Sequence, residues 1–231
     1  MSSQNPKAAV FAAFADVAKG LGHTHRLEIL ELLAQGERNV EALAERAGLS
    51  IANASQHLRL MRRAGLLASR RDGKRILYGL SDPAVLDLVA ALHRVGERTL
   101  AQVREIMGGY FHERDAFEPV SRKELARRVK DGLVTVLDVR PEDEFASGHL
   151  PHAINIPLRQ LARQLRALPK SREVVAYCRG PYCVLAFEAV ALLRKHGFKA
   201  RRLQEGYPQW KAAGQPVVLG ENVAKGAGPD I

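Results

Sequence analysis

The sequence predicts two domains of different class: an all-α domain that carries a β-hairpin, followed by an α/β domain with a parallel sheet. Three observations lead to this prediction. The chain has 231 residues, more than a single small domain usually contains. Its first half consists of apolar residues at helical spacing, apart from one hairpin pattern. In its second half strand and helix patterns alternate, which is typical of a parallel sheet covered by helices.

The composition is that of an ordinary globular protein with an excess of positive charge. Hydrophobic residues make up 46% of the chain and charged residues 26%, and the formal net charge is +10. The N-terminus has no signal-peptide pattern and no run reaches membrane-spanning length, so we expect a cytoplasmic protein without a membrane partner. The charge indicates an anionic partner.

The first half follows a helix-turn-helix order. Helical patterns cover 8–21 and 24–36, with Thr24 as a candidate N-cap, and a short helix begins at Val40. Gly48 then predicts a turn, and Ser50 predicts the N-cap of a further helix over 51–63.

The last of these helices and the segment after it have the features of a DNA-binding element. One face of the helix over 51–63 is apolar, and the other carries polar residues followed by arginines, which suits the major groove. Asp72-Gly73-Lys74 joins two short strand patterns into a basic hairpin, or wing, that would lie along phosphates. The candidate DNA-binding residues are Asn53, Ser55, Gln56, His57, Arg59, Arg63, Arg70, Arg71, Lys74 and Arg75.

Four segments resemble the ArsR family of winged helix-turn-helix repressors over roughly residues 8–110: His25-Arg26-Leu27-Glu28-Ile29-Leu30, Ser55-Gln56-His57-Leu58, Gly65-Leu66-Leu67 and Gly73-Lys74-Arg75-Ile76-Leu77-Tyr78. The resemblance implies a homodimeric bacterial transcription regulator that leaves its double-stranded operator DNA when an inducer binds. It also implies that the first and last helices form the dimer interface. We predict the last helix over 82–111.

Metal sensing, which is common in that family, is not expected here. The first half contains no cysteine, and Asp87, His93 and Glu97 do not reproduce the family's ligand spacing. His23 and His25 are interpreted as parts of a helix start. We therefore expect no metal and no cofactor.

The only two cysteines, Cys178 and Cys183, lie in one loop between a strand pattern over 173–177 and a helical pattern that begins at Val184. Backbone N–H groups, the helix dipole and Arg179 would together stabilise a Cys178 thiolate at this junction. The Gly180-Pro181 turn would keep the thiol in a pocket. The alternative is that both cysteines are small buried residues.

Three groups of motifs resemble the rhodanese family over roughly residues 119–219. They are Asp138-Val139-Arg140-Pro141-Glu142-Asp143-Glu144-Phe145 with residues 148–157, the Cys178 loop, and residues 205–210 with 214–217. The resemblance implies that Cys178 carries a persulfide, cradled by the loop backbone, with Arg179, Gly180 and Tyr182 as its members. Asp138 and Arg140 would organise the site or would form only a buried ion pair. His152 stands where the family usually has glycine, and Val184 replaces the arginine that related phosphatases need.

These observations predict a DNA-binding and dimerisation domain over 1–111, a linker over 112–118, a rhodanese-like domain over 119–219 and a tail over 220–231. The proposed inducer is reactive sulfur, from a persulfide, a polysulfide or thiosulfate, which is delivered to Cys178. Cys183 is either a resolving thiol or a small residue at a helix start. The alternatives are a sulfurtransferase with an autoregulatory DNA-binding domain, and a thiol–disulfide redox switch.

Overall fold

The computed structural model describes residues 5–112 and 119–220, and the chain forms two compact units, Met1–His93 and Arg94–Ile231. The boundary between the units falls after His93 in the chain, within the helix Ala84–Thr99. The predicted linker and tail lie almost wholly outside the described residues, so the predicted domain boundaries stay a prediction.

The first unit has the predicted helix-turn-helix and hairpin. Asn5, Asn39 and Ser50 cap the helices that follow them, each accepting a hydrogen bond from a first-turn backbone N–H. The prediction of Thr24 as a cap is wrong, because the His23 ring accepts from a first-turn N–H and Thr24 is already helical. The elements are α1 (Pro6–Leu21), α2 (Thr24–Ala34), α3 (Val40–Arg46), α4 (Ile51–Arg63), β1 (Leu67–Asp72), β2 (Arg75–Leu80) and α5 (Ala84–Thr99).

The core of this unit holds the recognition elements in place. Leu43 of α3 and Leu58 and Met61 of α4 are fully buried against leucines of α2, which fixes the angle between α3 and α4. β1 and β2 pair antiparallel from Leu67↔Leu80 to Asp72↔Arg75, and Gly73 takes a positive φ of 59° in their turn. The predicted wing is therefore confirmed.

The sequence pattern predicts one continuous last helix over 82–111, but the structure breaks this helix at Leu100. α5 ends at Thr99, whose hydroxyl donates to the Val95 carbonyl at 2.8 Å, and Leu100 adopts an extended conformation. A side chain that bonds the carbonyl one turn back competes with the helix. α6 (Ala101–Ile106) and a π-helical segment (Met107–His112) follow the break.

The second unit contains a four-stranded parallel sheet in the order β4-β3-β5-β6. The predicted strand over 173–177 is confirmed at both ends. The helix over 142–147 was not predicted, because three acidic residues open it and only Phe145 is apolar and large. The elements are α7 (Arg122–Lys130), β3 (Val134–Asp138), α8 (Glu142–Ser147), β4 (Ile154–Asn155), α9 (Leu158–Gln164), β5 (Glu173–Tyr177), α10 (Val184–Lys195), β6 (Ala200–Arg202) and α11 (Tyr207–Ala212).

Side chains of β5 alternate between the two faces of the sheet. Val174 and Ala176 pack on the side of α9 and α10, whereas Val175 and Tyr177 pack on the side of α7 and α11. Cys178 continues the first of these rows, which places its sulfur at the carboxyl end of a central strand and on the α10 side.

The loop before β4 explains the glycine that is usual at position 152 in the rhodanese family. Among the described residues, His152 is the non-glycine residue with a positive φ, at 59°. This left-handed conformation carries a steric cost for residues with a Cβ and none for glycine. This chain therefore departs from the family pattern by placing a histidine in a left-handed backbone conformation, at an exposed position.

Candidate functional site

The two cysteines are joined by a disulfide bond within one short loop. Cys178 follows the last residue of β5, Cys183 is the N-cap residue of α10, and their Cα atoms are 6.2 Å apart. Both are buried in an apolar core cluster, with 1% and 6% of their surfaces exposed, so the expectation that the Gly180-Pro181 turn keeps the thiol out of the packed core is wrong. This state is oxidised, so the low pKa predicted for the Cys178 thiol stays a prediction for the reduced form. The loop nevertheless brings the second sulfur within bonding distance of the first.

The loop backbone is held from inside and from outside. The Cys183 N–H donates to the Gly180 carbonyl at 3.2 Å, so this N–H is used within the turn. From outside, the Tyr207 N–H donates to the Cys178 carbonyl at 3.0 Å. A Cβ on Gly206 would lie 2.4 Å from the carbonyl carbon of Arg179, so only glycine allows this approach. In the sequence, Gly206 and Tyr207 are visible only as members of a motif. That they hold the Cys178 loop in place is visible only in the fold.

The Arg179 side chain is paired differently from the prediction. We expected its charge to act on Cys178, but its guanidinium is bound to the carboxylate of Glu144 on α8. Nε lies 3.1 and 3.0 Å from Oε1 and Oε2, and Nη2 lies 2.8 Å from Oε1. Glu144 is fully buried and the Arg179 side chain is 19% exposed. The positive charge next to Cys178 is therefore compensated, and Glu144 is a residue that the sequence did not single out.

Asp138 and Arg140 form a fully buried ion pair at the end of β3. Arg140 Nη2 lies 2.6 Å from Asp138 Oδ2, and the Arg140 N–H donates to Oδ1 at 2.9 Å. Burial acts against the charge of Arg140, but the Asp138 carboxylate outweighs it and raises the pKa of Arg140 above its ordinary value. The same guanidinium donates to the Gly148 carbonyl at 2.8 Å and lies over the Tyr207 ring, 4.5 Å from its centre. The expected buried ion pair is therefore present, and its contacts link the end of β3 to the Gly148 carbonyl and the Tyr207 ring.

Tyr182 carries a second polar contact of the loop. Its hydroxyl donates to Oε1 of Glu97, which lies on the last turns of α5, in the same compact unit. Burial and then this carboxylate raise the pKa of Tyr182 well above its ordinary value, so the hydroxyl stays protonated and donates.

Most of the predicted DNA-binding residues lie exposed on α4 and on the wing. Exposed are Asn53, Gln56, Arg59, Arg63, Arg71, Lys74 and Arg75, whereas Ser55 is half-buried. Arg70 is exposed but paired, since its Nη2 lies 2.6 Å from Oε2 of Glu37. These placements leave the side chains of α4 and the wing accessible to a DNA duplex.

The structure corrects the placement of His57. Its half-buried ring packs on two other imidazoles, with ring centres 4.6 Å from His23 and 6.0 Å from His25. Burial, followed by the charges of His23, Arg26 and His25, lowers the pKa of His57 from its ordinary value of 6.5. His57 is therefore a packing residue between α4 and the start of α2.

Within residues 5–112 and 119–220, no group of three or more histidine, cysteine, aspartate and glutamate side chains has an arrangement that could hold a metal ion. In the same described ranges, no helix combines the length and the apolar character needed to cross a membrane.

Two protein families match the chain in consecutive segments. The helix-turn-helix domain family matches residues 21–70. The Rhodanese-like domain family matches residues 121–213. A protein of Allochromatium vinosum named "Sulfurtransferase" is 30% identical over 104 residues, which is 44% of this chain and 95% of that protein.

One relative matches nearly the whole chain. The "HTH-type transcriptional regulator Rv0324" of Mycobacterium tuberculosis is 41% identical over 220 residues, which is 95% of this chain and 96% of that protein. A solved structure from Mycobacterium bovis, a homodimeric winged helix-turn-helix DNA-binding domain described as a possible ArsR-family regulator, is 39% identical. It covers 44% of this chain and 95% of its own, with a TM-score of 0.40. The chain therefore belongs to the family of HTH-type transcriptional regulators, in which it carries a rhodanese-like domain after the helix-turn-helix domain.

Proposed function

We propose that this regulator responds to reactive sulfur, and that transfer of a sulfane sulfur to Cys178 changes its affinity for operator DNA. The observation that carries the proposal is the Cys178–Cys183 pair, at bonding distance in the rhodanese-like domain of a transcription regulator.

The chemistry needs no reagent beyond the sulfur donor. The Cys178 thiolate attacks the outer sulfur of a persulfide R–S–SH, the S–S bond of the donor breaks, and R–S⁻ leaves. The product is a Cys178 persulfide. The Cys183 thiolate then attacks the inner sulfur of this persulfide and HS⁻ leaves, which gives the Cys178–Cys183 disulfide. Two thiolate sulfurs lose one electron each, and the transferred sulfur gains both.

The DNA-binding half supplies the output. Exposed cations of the wing would bind phosphates, while Asn53 and Gln56 would contact base edges from α4. We propose a homodimer for this chain, because large apolar side chains on α1 and α5 face solvent. Phe11 and Phe14 are 61% and 65% exposed, and Leu92 and Val95 are 42% and 58% exposed. A second copy that covers these faces would place two recognition helices on one duplex.

The test compares DNA binding before and after sulfur treatment. The probe is a duplex enriched from a random library with the reduced full-length protein, and its affinity is measured by fluorescence anisotropy. Sodium tetrasulfide should change the affinity of the parent by about tenfold or more, in the usual range of allosteric coupling. The Cys178→Ser protein should show no change. Equal responses of the two proteins would overturn the proposal.

The Cys183→Ser protein separates two forms of the signal. If linkage of the two sulfurs is the signal, this variant takes up sulfur at Cys178 but keeps the DNA affinity of the reduced parent. If the persulfide alone is the signal, it responds as the parent does. Mass spectrometry of the peptide that contains both cysteines identifies the species in each case.

A sulfurtransferase is the second candidate, and the relative named "Sulfurtransferase", matched over 95% of its length, favours it. Repeated turnover with a donor and a thiol acceptor would support the enzyme, whereas a single sulfuration without release supports the sensor. A thiol–disulfide redox switch is the third candidate. It predicts that peroxide forms the disulfide as readily as tetrasulfide does.

A further inference from the structure

The loop between the two cysteines has one charged side chain of its own. Its sequence is Cys178-Arg179-Gly180-Pro181-Tyr182-Cys183, and Arg179 is the only ionisable residue apart from the cysteines and the tyrosine. The loop contains no other cationic side chain that could attract an anionic sulfur donor. The state of this arginine therefore decides what charge the loop presents to a donor.

Arg179 is neutralised by a carboxylate that water cannot reach. Three contacts of 2.8–3.1 Å join its Nε and Nη2 atoms to both oxygens of Glu144. Glu144 is fully buried, and its position is fixed by the first turn of α8, where its N–H donates to the Pro141 carbonyl at 3.1 Å. A two-pronged pair of this geometry is strong, and a buried carboxylate cannot release its cation without a large cost.

Apolar and acidic groups contact other parts of the loop. Both cysteines belong to the apolar cluster that includes Leu137, Val139 and Ile156. On the other side, the Tyr182 hydroxyl is bound to the carboxylate of Glu97. One cation therefore faces two carboxylates in these contacts.

This charge balance distinguishes between the donors that supply sulfane sulfur. Thiosulfate carries two negative charges and must bring its sulfonate group beside the attacking thiolate, where an anion without a cation is strongly disfavoured. A persulfide or a hydrogen polysulfide carries at most one charge at its reacting end and has an apolar sulfur chain. The step with thiosulfate breaks its S–S bond and releases sulfite, so the charge must be accommodated in the leaving group as well.

We propose that Glu144 is a specificity-determining residue: by holding Arg179 in a buried ion pair, it makes the Cys178 loop react with persulfides and polysulfides and discriminate against donors such as thiosulfate, whose sulfonate group must enter beside the attacking thiolate. This inference rests on the proposed function and narrows its donor class. It also predicts that neutralising Glu144 frees Arg179 and opens the loop to thiosulfate.

The experiment measures the initial rate of sulfur transfer to the reduced full-length protein. Equal concentrations of sodium tetrasulfide and sodium thiosulfate are compared, and modification of the peptide that contains Cys178 is followed by mass spectrometry. In the parent we expect tetrasulfide to react about tenfold faster or more. In Glu144→Gln we expect the thiosulfate rate to rise by about tenfold, and this gain should disappear in Glu144→Gln/Arg179→Gln.

The matched control is Glu142→Gln. Glu142 lies in the same turn of α8 but is exposed, with Oε1 bound to Gln160 at 2.8 Å, so this variant should keep the parent's preference. A parent that reacts equally fast with both donors would overturn the inference while leaving the proposed function intact. A parent that reacts with neither donor would overturn the proposed function itself. The donor ratio of the parent decides the question even if Glu144→Gln does not fold.

Discussion

The arginines of the two units have different environments. In the first unit, Arg59, Arg63 and Arg75 lie exposed on the recognition helix and the wing. In the second unit, Arg140 is fully buried on Asp138, and Arg179 is largely buried on Glu144. The first set produces a positive surface that long-range fields can use. The second set contributes little net field, because each charge is compensated by a buried carboxylate.

The comparison shows why charge counted along the sequence does not locate function. The formal net charge of +10 includes cations of both kinds, but only uncompensated exposed cations can release counterions from DNA. A paired buried arginine instead fixes loops, and its loss leaves an unpaired charge in a place that water cannot reach. Substitutions that remove such charges should therefore reduce DNA binding in the first unit and the free energy of unfolding in the second.

The largest effect is expected from breaking the buried pair of the second unit. Asp138→Asn removes the countercharge of Arg140 and should lower the free energy of unfolding of this unit by about 3–5 kcal/mol. Trp210 is the only tryptophan of the chain and is buried in the second unit, so urea denaturation followed by its fluorescence reports on that unit. The control is Asp131→Asn, which removes an exposed partner of Arg127 at 3.6 Å and should leave the transition in place. Similar decreases in the free energy of unfolding in Asp138→Asn and Asp131→Asn would contradict the difference between buried and exposed ion pairs.

A smaller loss is expected where the loop is supported without charge. Gly206→Ala places a methyl group 2.4 Å from backbone atoms of Arg179 and Gly180, so the loop must move. We expect destabilisation by about 1–3 kcal/mol in the Trp210 transition, together with slower sulfuration of Cys178. Gly109→Ala serves as control, because Gly109 is exposed and no described atom lies within 4 Å of its added Cβ. An unchanged sulfuration rate in Gly206→Ala would show that the loop position does not limit the reaction.

In the first unit the corresponding change should affect DNA binding and not stability. Lys74→Ala and Arg75→Ala each remove an exposed cation of the wing and should weaken binding to all duplexes alike. Each should also reduce the slope of log affinity against log salt by about 0.9. Gln56→Ala is the contrasting variant, since loss of a base contact should weaken binding to the selected duplex and spare random DNA. An unchanged salt slope in both wing variants would place the wing away from the phosphates.

The smallest effect concerns the imidazole cluster of His23, His25 and His57. Since folding lowers the pKa of His57, the unfolded chain takes up the proton more readily, and the first unit should lose stability as pH falls through the ordinary value of 6.5. The charge of Arg26 adds to this effect, because it also lowers the pKa of His57. A proton NMR titration of the imidazole signals should show a midpoint below 6.5 for His57.

The His57→Gln protein provides the matching measurement. Thermal unfolding of the first unit is monitored through hydrogen exchange of the α4 amides. Its pH dependence should be weaker in this variant than in the parent. If the variant and the parent show the same pH dependence of stability, titratable groups other than His57 cause it.

Local patterns predicted the elements best where one interaction dominates. The strand Glu173–Tyr177 was predicted at both ends because a β-branched run is flanked by turn residues. The cap Ser50 was predicted because its side chain bonds an N–H three residues away. The helix Glu142–Ser147 was missed because its acidic start and few apolar residues give no periodic stripe. The break at Leu100 was missed because the apolar stripe continues across it.

In the site too, residues close in sequence were predicted and residues distant in sequence were missed. Cys178 and Cys183 were singled out as a pair because they lie five positions apart at a strand–helix junction, and the structure joins them in a disulfide. Glu144 and Gly206 were not found, because they reach the loop from positions 35 and 27 residues away from Arg179 and were visible only as motif letters.

The sequence by itself determined the two domain classes, the order of the recognition helix and the wing, and the loop that carries both cysteines. Short-range rules suffice for these features, since periodicity, caps and turns act within a few residues. Only the tertiary structure decided which charges are available. Whether Arg179 acts on a donor or is compensated depends on Glu144, which the parallel sheet and α8 bring beside it. Ionic interactions depend on distance in space and on burial, and neither is written in the local pattern.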